Sequence, residues 1–402
     1  MVWFLIFLYA LYTIYKISLD LLELSFIRAK LKEPAVVLSE DDYRKAGEVG
    51  AVNLKFNIFS HCFSFAVALI WIIAGAGALQ RAIYDLAGDG ILAGSCFVTA
   101  FLIIGGAISL PLEIYKTFVK DRRLGFSTIT PAVFVKDTLK SLALTLVFGF
   151  AVASALVFCV NSLGTHWWVW GFLLSFGIVL LINLIYPTVI APLFNKMQPL
   201  EHGELKERIE GLLQRCGFKS SGVFTIDASK RDKRLNAYFG GFGATKKVVL
   251  FDTLIEKLSE DEILAVLGHE LGHFKHGDIL KNLALSFVLL GATFAVFGNL
   301  PAGVFGALGL NADGGATLVF MILFAPILHA FFEPVISKLS RMHEFSADRH
   351  GASMQDKKSM IGALKKLGSE NKAFPLAHKI YAAVYHSHPS LYERIRELDE
   401  DR

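Results

Sequence analysis

Charge is scarce in this chain. Only 19% of its 402 residues are Asp, Glu, Lys or Arg, against roughly a quarter in soluble domains, while 54% are hydrophobic and mean hydropathy is +0.50. That shortage excludes an ordinary water-soluble domain and points to a membrane protein. The net charge is only +4 and no basic stripe interleaves with aromatics, so nucleic acid is excluded as a partner. Cysteine is scarce too. Cys62, Cys96, Cys159 and Cys216 stand singly without metal-site spacing, and the first three lie in apolar runs. The chain is neither disulfide-built nor cysteine-ligated. It also lacks internal repeats and low-complexity segments.

What it has instead is a series of long apolar runs. Seven reach the ~20 residues needed to cross the hydrocarbon core, at 2–24, 56–79, 91–115, 141–161, 167–194, 279–300 and 316–337. The first lacks a basic start and a small-residue cleavage site and carries Lys16 and Asp20, so it reads as a retained helix rather than a secretory signal. Lys and Arg number six in 25–55, one in 80–90, six in 116–140, none in 162–166, thirteen in 195–278, none in 301–315 and eleven in 341–402. The alternation is complete. The positive-inside rule then puts the N-terminus outside and the first, third and fifth loops and the C-terminus in the cytoplasm.

Four segments follow from this reading. Residues 1–194 hold spans one to five with their loops, and 195–278 form a first cytoplasmic block. Residues 279–337 return as spans six and seven, and 338–402 form a second cytoplasmic block. One cytoplasmic domain is expected to assemble from two blocks that flank a transmembrane hairpin.

The chemistry lies in "LGHELGHFKHGD", 267–278. Apolar residues at helical spacing in the preceding "EDEILAVLGHE" make this stretch a helix. His269 and His273, four apart, then project from one face and reach one metal ion, while Glu270 sits one step round, placed as a general base towards water. Catalytic zinc takes three protein ligands and keeps one open position. Glu344 in "SRMHEFSADRHGA" supplies the third candidate, just beyond the last span on the same side. Asp348 lies four residues on, placed to orient a ligating imidazole through its second N–H. The segment "NAYFGGFG", followed across Ala244-Thr245 by "KKVVLFD", has strand composition with a hairpin turn.

Together these motifs resemble the Ste24-type CAAX prenyl proteases, integral-membrane zinc metalloproteases of peptidase family M48. "LGHELGHFKHGD" is similar to the family's zinc helix and "SRMHEFSADRHGA" to its third-ligand helix. "LNAYFGGFGATKKVVLFDTLIE" is similar to its substrate strand, and "GFSTITPAVFVKDTLK", "YPTVIAPLFNKMQPL" and "SHPSLYERI" to its third loop, the end of its fifth span and its C-terminal motif. The resemblance implies a mainly all-α membrane protein. Seven transmembrane helices would form a barrel around an intramembrane chamber, closed by a cytoplasmic gluzincin-like domain with a small β-hairpin or sheet.

It further implies one Zn²⁺ per chain and hydrolysis of peptides or proteins at the bilayer, prenylated C-termini among them. Asn236, Ala237 and Tyr238 would hold the peptide, with Arg394 as a further substrate-side group or a partner for a nearby acid. His388 would steady the oxyanion, with His386 competing for that role. Polar groups within the spans (His61, Glu113, Asn183, His329 and Glu333) suit either a water-filled chamber or helix–helix hydrogen bonds. Two other readings fit fewer features: an HtpX-like quality-control protease of about four spans, and a seven-helix transporter or receptor with a structural zinc. The short loops and the tail "LDEDR", which carries no retrieval signal, favour a bacterial plasma membrane over the endoplasmic reticulum.

Overall fold

The computed structural model describes residues 1–241 and 246–400. Five long helices come first: α1 (Val2–Lys30), α2 (Glu40–Ala87), α3 (Ile91–Arg123), α4 (Pro131–Ser162) and α5 (Gly164–Phe194). Each of the last four runs beyond its apolar window and contains a π-helical turn, at 71–75, 116–120, 145–149 and 186–190. A compact unit follows with β1 (Met197–Pro199), α6 (Glu204–Arg215), β2 (Val223–Ile226), β3 (Ala237–Gly240), β4 (Lys247–Phe251) and α7 (Glu260–Lys275). The chain then returns through α8 (Asp278–Gly298) and α9 (Gly314–Ala330) and ends with α10 (Glu333–Met354), α11 (Lys357–Glu370), α12 (Lys379–Tyr385) and α13 (Leu391–Glu400).

Six of these helices are long and apolar enough to cross a membrane, and α9 with α10 makes a seventh crossing bent by 61°. The sequence reads 316–337 as one span, with Pro334 suggesting a kink near its end. Pro334 explains the break, because it has no N–H for the carbonyl four residues back and its ring crowds the preceding turn. The helix therefore stops at Ala330 and restarts with Pro334 in its first turn.

The seven spans form a closed ring. Each of α1, α2, α3, α4, α5, α8 and α9 packs on the next, and α9 packs back on α1. Their shared core, which includes Leu5, Ile72, Phe97, Val157, Phe297, Leu308 and Phe320, gathers at one end, opposite the polar segments. Towards the polar segments the spans part. Among the described residues none is buried over 102–120, 131–149, 173–186 or 279–292. The ring is thus packed by side chains at one end and loosely packed at the other.

Several intramembrane polar groups bond between helices. Lys16 pairs with Glu333 at 3.0 Å, His61 with Asp20 at 3.2 Å, and His329 with Thr293 at 3.0 Å. Glu113 pairs within its own helix with Lys116, and Asn183 donates to the Val179 carbonyl.

The hairpin expected at 236–251 is part of a larger sheet, ordered β1-β2-β4-β3. β4 pairs antiparallel with β3 and parallel with β2, which leaves β3 on the edge. The turn residues 242–245 lie outside the described residues. One face of the sheet packs on α6 and α7 through Leu212, Val248, Leu250, Ile263 and Leu267. The last block closes round the zinc-motif helix, since both α10 and α11 pack on α7. α12 turns back to touch α1, where the Glu23 carboxylate accepts the His378 N–H at 2.8 Å.

Candidate active site

Why Glu344 comes near the two histidines follows from small residues at the crossing of α7 and α10. A Cβ on Gly272 would stand 2.9 Å from Ala347 Cα, and one on Gly351 would stand 2.8 Å from the Ala265 carbonyl oxygen. The backbones therefore touch, and a side chain one turn up α10 reaches across α7. Ser259 starts α7 with a capping box to Glu262. Gly277, at φ 70°, ends it in the left-handed region that glycine enters without strain and turns the chain straight into α8.

Three potential ligand atoms converge there. His269 Nε2 and His273 Nε2 are 3.2 Å apart, and they lie 3.5 and 3.2 Å from the two carboxylate oxygens of Glu344. The edge of a tetrahedron with ligand bonds of 2.0–2.1 Å is about 3.3 Å. His269 Nδ1 is 2.8 Å from Asp348 and His273 Nδ1 is 3.0 Å from Asp278. Each of these carboxylates is placed to accept the Nδ1 N–H, the tautomer that turns both Nε2 lone pairs inward. Glu344 is 4% exposed, and its buried Oε2, 3.6 Å from Arg394, has no hydrogen-bond donor among the described residues. Two bare imidazole nitrogens and an orphaned carboxylate oxygen, converging at this spacing, fit a divalent cation. His269, His273 and Glu344 are the one such group among the described residues.

A cavity of about 410 Å³ opens on this cluster. Its lining includes Asn236, Ala237, Glu270, Asn371, His388 and Arg394. Burial raises the Glu270 carboxyl above its ordinary value, with Glu344 adding to the shift, while His269, His273 and Arg394 pull it down. His388 Nε2 lies 3.3 Å from Glu344 Oε1, and the His388 side chain is 61% exposed at the cavity. His386 does not line it. Its ring packs on Tyr381, and its carbonyl accepts from Arg341. Arg394 grips both Asp348 oxygens, at 2.6 and 2.8 Å, and so holds the carboxylate that holds His269.

The edge strand divides its residues between two faces. The Phe251 N–H donates to the Asn236 carbonyl, so Asn236, Tyr238 and Gly240 are the positions bonded to β4. By the antiparallel pattern, Ala237 and Phe239 aim their main-chain groups at the free edge. The Asn236 side chain caps the Ala237 N–H at 2.8 Å. The Tyr238 side chain lies on the opposite face, against Ile226 and Val249, away from the cavity. Its hydroxyl is buried without a hydrogen-bond partner among the described residues, and burial pushes its pKa up to about 12.

Three residues at the site are absent from the sequence reading. Asp278 holds His273 Nδ1 and also receives Lys281 at 2.8 Å and His343 at 3.6 Å. The signal for it was an acid just past the glycine that ends the helix. Asn371 donates to the Leu235 carbonyl and accepts its N–H at 2.8 Å, closing the strand edge ahead of Asn236. Arg341 donates to the carbonyls of Ala382 and His386, fixing the segment that leads to His388. His276 stays outside the cavity beside His350.

Known proteins resemble this chain along its length. Residues 28–196 match the model described as CAAX prenyl protease N-terminal, five membrane helices, and residues 199–402 match that of peptidase family M48. The CAAX prenyl protease 1 homolog of Dictyostelium discoideum is 36% identical over 76% of this chain and 73% of its own length. CAAX prenyl protease 1 of Saccharomyces cerevisiae is 30% identical over 92% of this chain and 89% of its own. The crystal structure of S. mikatae Ste24p superposes with a TM-score of 0.90 at 27% identity, covering 98% of both chains. Two relatives above 30% or at it, matched over most of their length, and a family model spanning half the chain leave one assignment. The chain belongs to peptidase family M48 and is a multi-pass membrane metalloendopeptidase of the Ste24 type.

Proposed function

We propose that this enzyme binds one Zn²⁺ through His269, His273 and Glu344 and cleaves peptides anchored at the membrane, C-terminally prenylated CAAX-type peptides among them. The observation that carries the reading is the inward convergence of three lone-pair donors at one edge of an open cavity. A bound Zn²⁺ would supply a Lewis acid that polarises the scissile carbonyl and acidifies water. Glu270 accepts the proton of the attacking water and returns it to the leaving amine; a carboxyl pushed up by burial holds that proton better than an ordinary one. The peptide lies along the free edge of β3, where Ala237 and Phe239 offer main-chain groups that bind with little regard to side chains. Asn236 moves from its cap on the Ala237 N–H to the peptide backbone. His388, exposed and beside Glu344, donates to the developing oxyanion. Arg394 acts through Asp348 as a positioning residue.

Lysine and arginine alternation along the loops supports a cytoplasmic site. The S. cerevisiae and D. discoideum relatives named as CAAX prenyl proteases support the substrate class. The test compares a farnesylated CAAX peptide with its unlipidated twin on purified protein in detergent, using Glu270→Gln and chelator as blanks. Faster cleavage of the farnesylated peptide, lost in both blanks, is expected. Equal cleavage of the two would remove lipidation from the reading and leave the hydrolysis.

A further inference from the structure

Away from the active site, a wide cleft lies between the second and third spans. It measures about 610 Å³ and is lined by Val52, Phe56, Phe59 and Phe63 of α2 and by Pro111, Leu112 and Tyr115 of α3, with Lys55 and Lys120 at one end. It has a structural cause. α2 and α3 pack on each other beyond the π-helical turn at 71–75, and Pro111 together with the second π turn at 116–120 redirects α3 on the other side. The helices diverge between these breaks. Phe56 and Tyr115 stack at 6.1 Å across the gap without filling it.

The two lysines mark the depth of this cleft. Lys55 immediately precedes the apolar stretch 56–79, and Lys120 lies five residues beyond the end of 91–115. Both therefore sit at the membrane boundary that faces the protease segments, the level of phospholipid headgroups. Lys120 is largely covered: it pairs with Asp121 at 2.6 Å and donates to the Asn53 side-chain oxygen at 2.6 Å. Lys55 is exposed and has no acidic partner among the described residues. An unpaired cation at the mouth of an aromatic slot within the bilayer complements a ligand with an anionic head and an apolar tail.

We propose that this cleft is a binding site for an anionic phospholipid, with one acyl chain between Phe59, Phe63 and Leu112 and the phosphate on Lys55 and Lys120. Occupancy has a path to the catalytic cavity. Asp121, the partner of Lys120, also faces Arg234 at 3.5 Å, and Arg234 lies two residues before Asn236. A phosphate that draws Lys120 away from Asp121 leaves that carboxylate to Arg234.

The test is native mass spectrometry of the full chain released from detergent, with equal amounts of phosphatidylglycerol and phosphatidylcholine added. The parent chain is compared with Lys55→Gln, with the slot-filling Leu112→Trp, and with Lys32→Gln, which removes a cation from the same side but outside the cleft. The parent should retain phosphatidylglycerol preferentially. Lys55→Gln should reduce that preference about fivefold, the equivalent of roughly 1 kcal/mol for one lysine at a membrane surface. Leu112→Trp should reduce retention of the lipid, and Lys32→Gln should change neither. An equal loss in Lys32→Gln and Lys55→Gln would make the effect one of net charge and overturn the proposal. So would a cleft with no lipid preference that takes up a farnesylated peptide equally in the parent and Lys55→Gln, which would assign the space to the substrate's anchor.

Discussion

Replacing Gly272 by Ala adds one methyl group at the close crossing of the two helices that carry the proposed ligands. That Cβ would stand 2.9 Å from Ala347 Cα and 3.0 Å from His350 Cβ, both on α10 close to the backbone. Carbon atoms pack best at about 3.5–4.0 Å, so the helices must separate by on the order of 0.7 Å. Overpacking of this kind costs ~1–3 kcal/mol, which a protein of this size can survive. The metal site cannot absorb it as well. Glu344 rides on α10 while His269 and His273 ride on α7, and a working site tolerates distances only within about 0.2 Å of ideal. Loss of a supporting residue typically costs 10–100-fold in metal affinity, so moving a ligand should cost at least ~100-fold. The assay is zinc retention against a competing chelator, alongside thermal unfolding in detergent. Gly211→Ala in α6 is the control: a Cβ there meets nothing within 4 Å, and alanine should stabilise that helix by about 0.5–1 kcal/mol. If Gly272→Ala held zinc within fivefold of the parent, the crossing would not be what sets the ligand geometry.

Other substitutions separate the roles at the site. Asp278→Asn keeps a hydrogen-bond acceptor for His273 Nδ1 but removes its charge, and zinc affinity by chelator competition should fall ~10–100-fold; an unchanged affinity would relegate Asp278 to joining α7 and α8. Glu270→Gln should retain stoichiometric metal while peptide hydrolysis falls by ~10²–10⁴, and hydrolysis near the parent rate would move the base elsewhere. Arg394→Ala strands Asp348, 1% exposed, without its guanidinium partner, and breaking a buried pair costs ~3–5 kcal/mol. Its unfolding midpoint should drop, with partial recovery in Arg394→Lys; an unaltered midpoint in Arg394→Ala would refute the pairing.

Some of this was legible in the sequence because the relevant geometry is local. Histidines four apart on a helix share a face wherever that helix sits, and the same holds for Glu344 and Asp348 on α10. The spans were legible because a bilayer demands apolar length and little else. The bend after Ala330 was legible as a kink at Pro334 near the span's end, but its size was not, because a proline there can as well tilt the last turn as break the helix. Asp278 was missed because its bond to His273 crosses the Gly277 turn, so helical periodicity does not relate the two. Tyr238 and Ala237 are neighbours in sequence, yet only the register with β4 separates them, one against the sheet's far face and the other at the cavity. Asn371 pairs with the Leu235 backbone across more than a hundred residues, and no pattern around either residue encodes that contact.

The C-terminal block is tied to the membrane ring as well as to the protease core. His378 donates its main-chain N–H to Glu23, the Tyr381 hydroxyl lies 3.4 Å from Asp20, and Lys16 sits 4.2 Å from the centre of the Tyr385 ring. Each of these contacts joins α1 to the segment that ends at His388. From the other side, Ser337 at the base of the bent span holds the Val384 carbonyl at 2.7 Å. Buried ionisable groups on a membrane helix are costly unless partnered, so α1 and α12 each satisfy groups the other cannot leave exposed. The first span, far from the zinc motif in sequence, thus helps to set the position of His388 over the cavity. Moreover, α7 runs through Gly277 into α8, and Asp278 at that junction holds His273. Both sides of the catalytic cavity are therefore anchored to transmembrane helices, so the position of the site is set by the ring as well as by the protease core.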